Sequence, residues 1–265
     1  MAEEDGARGP GGVRVDIDGG VAVLSIDRPE ARNAIGSATA AELDEAITAL
    51  SGDDRVAVVV VTGGGDRAFV SGGDLKELAA IRTHAEAAAM AERMRRVLDG
   101  LAELPVPVIA ALNGHALGGG AEVAIAADIR IAADDVKIGF NQVTLGIMPA
   151  WGGAERLAAV IGRGKAMLAI GTGELYSAEA AHRLGLLDVV VPRDGFAATW
   201  QDLAHRLAST APGATRAIKK VIGAAAPATR PDLEARAADA FAHLWVADAH
   251  WDAVDRMTSA KGSKG

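Results

Sequence analysis

A chain of 265 residues, half of them apolar but only 3% aromatic, has length for one large domain whose core is built from Ala, Val, Leu and Ile. Its 27 Lys and Arg against 35 Asp and Glu disfavour nucleic acid or an anionic membrane as a partner, so a polyanionic small ligand needs a local basic patch. Cysteine is absent, which excludes disulfides, zinc-thiolate centres and cysteine nucleophiles and leaves a cytoplasmic location as the default expectation.

Residues 1–12 are acidic and Gly-rich without an apolar run, and read as a disordered tail rather than a signal peptide or membrane anchor. Residues 13–26, VRVDIDGGVAVLSI, alternate apolar and polar positions around Gly19-Gly20, the pattern of a β-hairpin. Leu43, Ala46, Ile47 and Leu50 recur at helical spacing, which predicts a helix over 37–50 started by Ser37. The run 56–61 is apolar on both faces, as a strand covered on each side requires, and Gly63-Gly64-Gly65 ends it. Residues 75–101 predict one or two helices that stop near Pro105 and Pro107. A strand over 106–112 leads to Gly118-Gly119-Gly120 and a short helix over 121–127, with a further strand at 129–132. Helical patterns fill 154–184, a last strand covers 187–191, and helices return beyond it. The fold class is α/β, with a core domain over 13–200 and a C-terminal helical region over 201–265.

Two stretches carry chemistry. In Phe69-Val70-Ser71-Gly72-Gly73-Asp74-Leu75-Lys76 the glycines permit a tight turn after a strand, and Asp74 can cap the helix that follows. Main-chain N–H groups at such a turn lack intrahelical acceptors and attract developing negative charge. A strand-to-helix connection with no ligand gives the same string. In residues 113–122, NGHALGGGAE, three glycines let the backbone come close to a ligand, and Glu122 falls in the first helical turn beside that opening. The bland alternative is a carboxylate that only complements the helix dipole. Acyl-thioester enolate chemistry needs two converging donors and a base, and the two stretches together offer all three.

Five ordered segments resemble the crotonase (enoyl-CoA hydratase/isomerase) family: DRPEARNA at 27–34, VVVVTGGGDRAFVSGGDLKEL at 58–78, PVIAALNGHALGGGAE at 107–122, LGIMPAWGGAERL at 145–157 and SAEAAHRLGLLDVVVP at 177–192. The resemblance implies a crotonase-like spiral of ββα units with a C-terminal helical region, assembled as a homotrimer or hexamer. It implies an oxyanion hole made by the N–H groups of Gly73 and Gly119, where loss of one donor costs about 10²–10³ in rate. Glu122 matches the catalytic glutamate that positions water and exchanges a proton with it. Ser71, Gly73 and Lys76, with Asp74 and Leu75 between them, match positions along coenzyme A, Arg32 matches a contact to the CoA chain, and Trp151 matches the acyl pocket. The implied partner is an acyl-CoA thioester, with neither nucleic acid nor membrane, and no cofactor is expected because coenzyme A belongs to the substrate.

One position departs from the pattern. Family hydratases carry a second glutamate four residues before the Gly of LG-x-x-P, and counting back from Gly146 gives Gln142; FNQVTLG holds no acid at all. An amide hydrogen-bonds but does not exchange a proton at neutral pH, and losing a general acid or base costs about 10²–10⁴ in rate. Hydration of a 2-enoyl-CoA, with Glu122 activating water and Gln142 orienting it, stands first. Isomerisation, or decarboxylation of a methyl- or ethylmalonyl-CoA thioester, stands second: GIMPAWGG with GHALGGGAE resembles ethylmalonyl-CoA decarboxylase-like members, and loss of carbon dioxide itself generates the enolate. A non-catalytic acyl-CoA binder stands last, because binding alone needs no paired oxyanion trap.

Other motifs are set aside. Residues 63–68, GGGDRA, fit a dinucleotide fingerprint but open no helix. Gly162-Arg163-Gly164-Lys165 reads as a helix connection, and Ser71 lacks triad partners. Six histidines show no ligand spacing, so no metal is expected, and His115 reads as a packing residue. Residues 241–257, FAHLWVADAHWDAVDRM, fit either a subunit interface or an intrachain core.

Overall fold

The computed structural model describes residues 11–225 and 231–262. The expected tail over 1–12 lies outside the described residues except at Gly11 and Gly12, and those two are buried. The Gly11 N–H donates to Glu42 Oε1 at 2.6 Å, so the packed chain begins before the first strand.

Strands β1 (Val13–Asp18) and β2 (Val21–Ile26) form the expected antiparallel hairpin. Gly19 and Gly20 both take positive φ (54° and 83°), as a two-residue turn matched to strand twist demands. Helix α1 (Ser37–Ser51) follows, but Ser37 is its first residue and not its cap. Gly36 holds the cap position, and the Ser37 N–H is satisfied from afar by Glu77 Oε2 at 2.8 Å.

Three successive units then share one plan. β3 (Val58–Gly63) and β4 (Ala68–Val70) precede α2 (Leu75–Leu78) and α3 (His84–Ala102). β5 (Val108–Leu112) and β6 (His115–Leu117) precede α4 (Gly119–Ala126). β7 (Ile129–Ala133) and β8 (Lys137–Gly139) precede a 3₁₀ turn (Asn141–Leu145) and α5 (Gly153–Ile161). In each unit the first strand enters a six-stranded sheet, ordered β1-β2-β3-β5-β7 and then β10 (Val189–Val191). The second strand enters a smaller sheet ordered β4-β6-β8 and then β9 (Tyr176–Ser177). Beyond β1 the large sheet is parallel, and β3 and β5 are almost wholly buried, as strands covered on both faces should be. The result is a spiral of ββα units. A Thr83–Glu86 capping box separates α2 from α3, which resolves the expected one or two helices into two.

Two buried asparagines fix the crossover between the sheets. Asn33 Nδ2 donates to the carbonyls of Gly64 (2.9 Å) and Ala68 (2.7 Å), and Asn113 Nδ2 to those of Gly63 (2.8 Å) and Gly65 (2.6 Å). Each such bond contributes about 1 kcal/mol net. Together they make the Gly63–Gly65 loop a rigid corner that leads from β3 into strand β4.

Helices α6 (Arg163–Thr172), α7 (Ala178–Leu184), α8 (Phe196–Ala208), α9 (Pro212–Ala225), α10 (Pro231–Trp245) and α11 (Asp248–Gly262) complete the described chain. Gly162 joins α5 to α6 as expected. Phe241, Trp245 and His250 are buried within this chain. Trp245 Nε1 donates to the Ile81 carbonyl at 3.0 Å, and His250 Nδ1 lies 2.6 Å from the Leu145 carbonyl. The C-terminal aromatic pattern is therefore an intrachain core clamped onto the segment that carries Gln142.

Candidate active site

The first glycine turn is held by a single bridge. Ile35 donates to the Gly72 carbonyl (2.8 Å) and accepts from the Asp74 N–H (2.9 Å), a parallel bridge centred on Gly73. In such a bridge the central residue's own N–H points to the opposite side. Asp74 caps α2 as expected: its carboxylate accepts the Lys76 N–H at 3.3 Å and also pairs with Arg28 Nη2 at 3.1 Å.

The second turn packs against the first. The Gly119 nitrogen stands 3.3 Å from where a Cβ on Gly72 would lie. Gly118 takes φ 56°, a left-handed conformation that turns β6 directly into α4. Gly119 and Gly120 are required for space: an added Cβ would stand 2.3 Å from the Trp151 ring in the first case and 1.8 Å from the Val70 carbonyl oxygen in the second. The same indole lies 3.7 Å from the Cβ position of Gly73, so one ring covers both turns.

Glu122, on α4, is only 2% exposed. Its Oε2 accepts the N–H groups of Trp151 (2.8 Å) and Gly153 (2.9 Å), and its Oε1 accepts Gln142 Nε2 at 2.9 Å. Burial pushes this carboxyl up to about 7, against the pull of the two N–H donors and the Arg156 charge. Arg156 is itself set by Asp99 and by the Trp151 carbonyl at 3.0 Å. Gln142 is buried, and its Oε1 has no hydrogen-bond partner among the described residues. A buried acceptor without a donor is costly, so this oxygen is suited to a water or substrate hydrogen. The structure thus brings Gly73, Gly119, Glu122, Gln142 and Trp151 together.

The remaining expected residues lie further out. Arg32 and Ser71 line an open groove of about 420 Å³ with Arg67, His115, Asp135 and Arg193. Glu122, Gln142 and Trp151 are not among its lining residues. Leu75 and Lys76 are exposed on α2. His115 is not the packed residue expected from its neighbouring strand: it is exposed, because alternation on β6 turns it outward, and its Nδ1 accepts the Lys137 N–H at 3.1 Å.

A family model for enoyl-CoA hydratase/isomerase matches residues 16–250. The chain belongs to the enoyl-CoA hydratase/isomerase family. It is 39% identical over 210 residues to the short-chain-enoyl-CoA hydratase of Clostridium acetobutylicum, covering 79% of this chain and 80% of that one. It is 38% identical over 202 residues to the crotonyl-CoA hydratase of Syntrophomonas wolfei, covering 75% and 76%. Among solved structures it superimposes on an enoyl-CoA hydratase from Bacillus anthracis with a TM-score of 0.79 at 32% identity, covering 95% of each chain. An enoyl-CoA hydratase from Mycobacterium avium subsp. paratuberculosis gives a TM-score of 0.84 at 27% identity, covering 93% of this chain and 98% of that one. The chain is accordingly an enzyme of this family with enoyl-CoA hydratase-like function, and an acyl-CoA substrate fits it. No described helix is long and apolar enough to cross a membrane.

Sequence reasoning missed how this enoyl-CoA hydratase/isomerase family member holds its carboxylate. The Trp151 and Gly153 N–H donors come from a segment about thirty residues downstream of Glu122. Their signal was the GG pair of LGIMPAWGG, since a Cβ at Gly153 would stand 2.4 Å from Glu122 Cγ.

Proposed function

We propose that the chain adds water across the 2,3 double bond of a 2-enoyl-CoA thioester. The thioester oxygen sits between the N–H groups of Gly73 and Gly119, and negative charge gathers there as the enolate forms. The water oxygen bonds to C3, one water hydrogen passes to the Glu122 carboxylate, and Gln142 Oε1 accepts the other. Glu122 then returns its proton to C2, and the thioester carbonyl is restored. Ser71, Asp74, Leu75 and Lys76, with Arg32 across the groove, seat the coenzyme A portion, while Trp151 limits room beyond the reacting carbons. The two relatives named for short-chain and crotonyl substrates favour a short acyl chain.

The observation that carries this reading is a buried carboxylate raised to about 7 beside an amide oxygen that lacks a partner. A group poised near neutrality can both take and return a proton. The amide at Gln142 favours one competing reading, decarboxylation of a malonyl-type thioester, which needs no second acid. Mass spectrometry after incubation with crotonyl-CoA and with ethylmalonyl-CoA separates them: gain of water on the first supports hydration, and loss of carbon dioxide from the second overturns it.

Self-association as a homotrimer or hexamer belongs to the same reading. Met167 and Leu168 on α6, and Ile218, Val221 and Ile222 on α9, leave large apolar side chains exposed. Light scattering on the purified chain tests it, and a monomer at micromolar concentration refutes it.

A further inference from the structure

We infer that His84, Asp239 and His243 form a binding site for a zinc-type divalent transition-metal ion between α3 and α10, separate from the acyl-CoA site. His84 is the first residue of α3, and Asp239 and His243 lie one turn apart on the same side of α10. His84 Nε2 stands 3.0 Å from His243 Nδ1 and 3.1 Å from Asp239 Oδ1, and Asp239 Oδ2 stands 3.7 Å from His243 Nδ1. Zinc bonds of roughly 2.0–2.2 Å in tetrahedral geometry set neighbouring ligand atoms roughly 3.3 Å apart. Both edges at His84 Nε2 are already close to that length, and with one ligand atom from each residue the set lies within 4.8 Å, so rotamer shifts of Asp239 and His243 close the third edge and seat an ion with water in the fourth position.

The donor chemistry selects the ion. Two imidazoles and one carboxylate suit zinc, cobalt, nickel or copper, whereas magnesium and calcium prefer all-oxygen sets. His243 Nδ1 also lies 2.9 Å from the Asp239 carbonyl oxygen, so without an ion a proton on Nδ1 is satisfied there. Ion binding draws on the other tautomer, with the proton on Nε2 of an exposed ring. The mechanical consequence is a staple. α10 carries Trp245, which bonds the Ile81 carbonyl, and α11 carries His250, which bonds the Leu145 carbonyl in the segment of Gln142. An ion shared by α3 and α10 holds this C-terminal cover against the core.

The test is a titration of metal-stripped full-length chain with zinc ion, followed by calorimetry and by thermal unfolding, with magnesium as the control. One saturable zinc site and a raised Tm are expected, with magnesium inert. At free zinc 100 times Kd the folded-to-unfolded ratio should rise about 100-fold. His84→Ala and His243→Ala should each abolish the site, and Asp239→Asn should weaken it while keeping both rings. Circular dichroism in metal-free buffer establishes that each variant is folded before it is titrated. Absence of saturable zinc binding, or unchanged affinity in folded His84→Ala and His243→Ala, overturns the inference.

Discussion

The two glycine turns perform one local task, ending a short strand of the small sheet and opening a helix, but they are backed by different material. Behind the second stands α4, every residue of which is buried. A Cβ at Gly119 or Gly120 would strike an indole or a main-chain carbonyl that cannot turn aside. Behind the first stands α2, only four residues long with exposed Leu75 and Lys76. A Cβ at Gly73 would meet Leu78 Cδ1 at 2.5 Å, the free end of a rotatable side chain. One half of the site is therefore rigid and carries Glu122; the other yields and is exposed to solvent.

The largest expected effect strikes the rigid half. Glu122→Gln keeps the shape and removes the exchangeable proton, so kcat on crotonyl-CoA should fall about 10²–10⁴-fold. In the unsubstituted enzyme kcat should fall as pH drops through about 7, because the raised carboxyl becomes protonated and ceases to accept from water. Stability moves the opposite way. The folded-state value lies above the ordinary 4.5, so the contribution of Glu122 to stability is complete below about 4.5 and is lost as pH rises through about 7. Urea melts across that window should show Glu122→Gln gaining on the wild type as pH increases, and a constant difference would refute the raised value.

The comparison itself is broken or kept by a pair of alanines. Gly119→Ala should cost about 10²–10³ in kcat, because the donor moves with the displaced backbone or indole. Gly73→Ala should cost roughly tenfold less, since Leu78 rotates away at the price of about 1 kcal/mol in packing. Equal losses would show that both turns are equally rigid.

This contrast explains what was legible in the sequence. The hairpin at Gly19-Gly20, the buried strands and both glycine turns were readable because each is a local pattern of a few residues. Strands β6, β8 and β9 were not, since three or two residues carry no usable alternation and each pairs only along the edge of its neighbour, β6 on β4, β8 on β6 and β9 on β8. The start of α1 at Ser37 was legible, but its support was not: Gly36 holds the cap position, and the Ser37 N–H donates to Glu77, forty residues away. Gly73, Gly119 and Glu122 could be named from their motifs, but the main-chain donors that hold Glu122 could not. Likewise no spacing rule brings His84 beside Asp239 and His243, because α3 and α10 meet only in three dimensions.

A smaller effect is expected at Trp151, the ring that covers both turns. On the proposed reading this indole walls the reacting carbons, so in Trp151→Ala the kcat/KM ratio of an eight-carbon to a four-carbon enoyl-CoA should rise by about tenfold or more. Trp151→Phe should fall between the two. An unchanged ratio in both variants would assign chain length to another wall of the pocket.

The smallest effect belongs to the yielding half. Asp74 does two things at once: Oδ1 accepts the Lys76 N–H at the start of α2, and Oδ2 pairs with Arg28, whose Nη1 donates to the Ala34 carbonyl at 2.5 Å. Loss of a helix cap costs about 1 kcal/mol, and a partly exposed ion pair adds less than about 1 kcal/mol. Asp74→Ala should therefore lower stability by about 1–2 kcal/mol in a urea melt. Asp74→Asn keeps the cap and should recover most of that. Because α2 belongs to the exposed half and not to the acid, KM for the CoA ester should rise in Asp74→Ala while kcat stays within a few-fold. If kcat fell as steeply as in Gly119→Ala, the first turn would have to be counted as part of the rigid half.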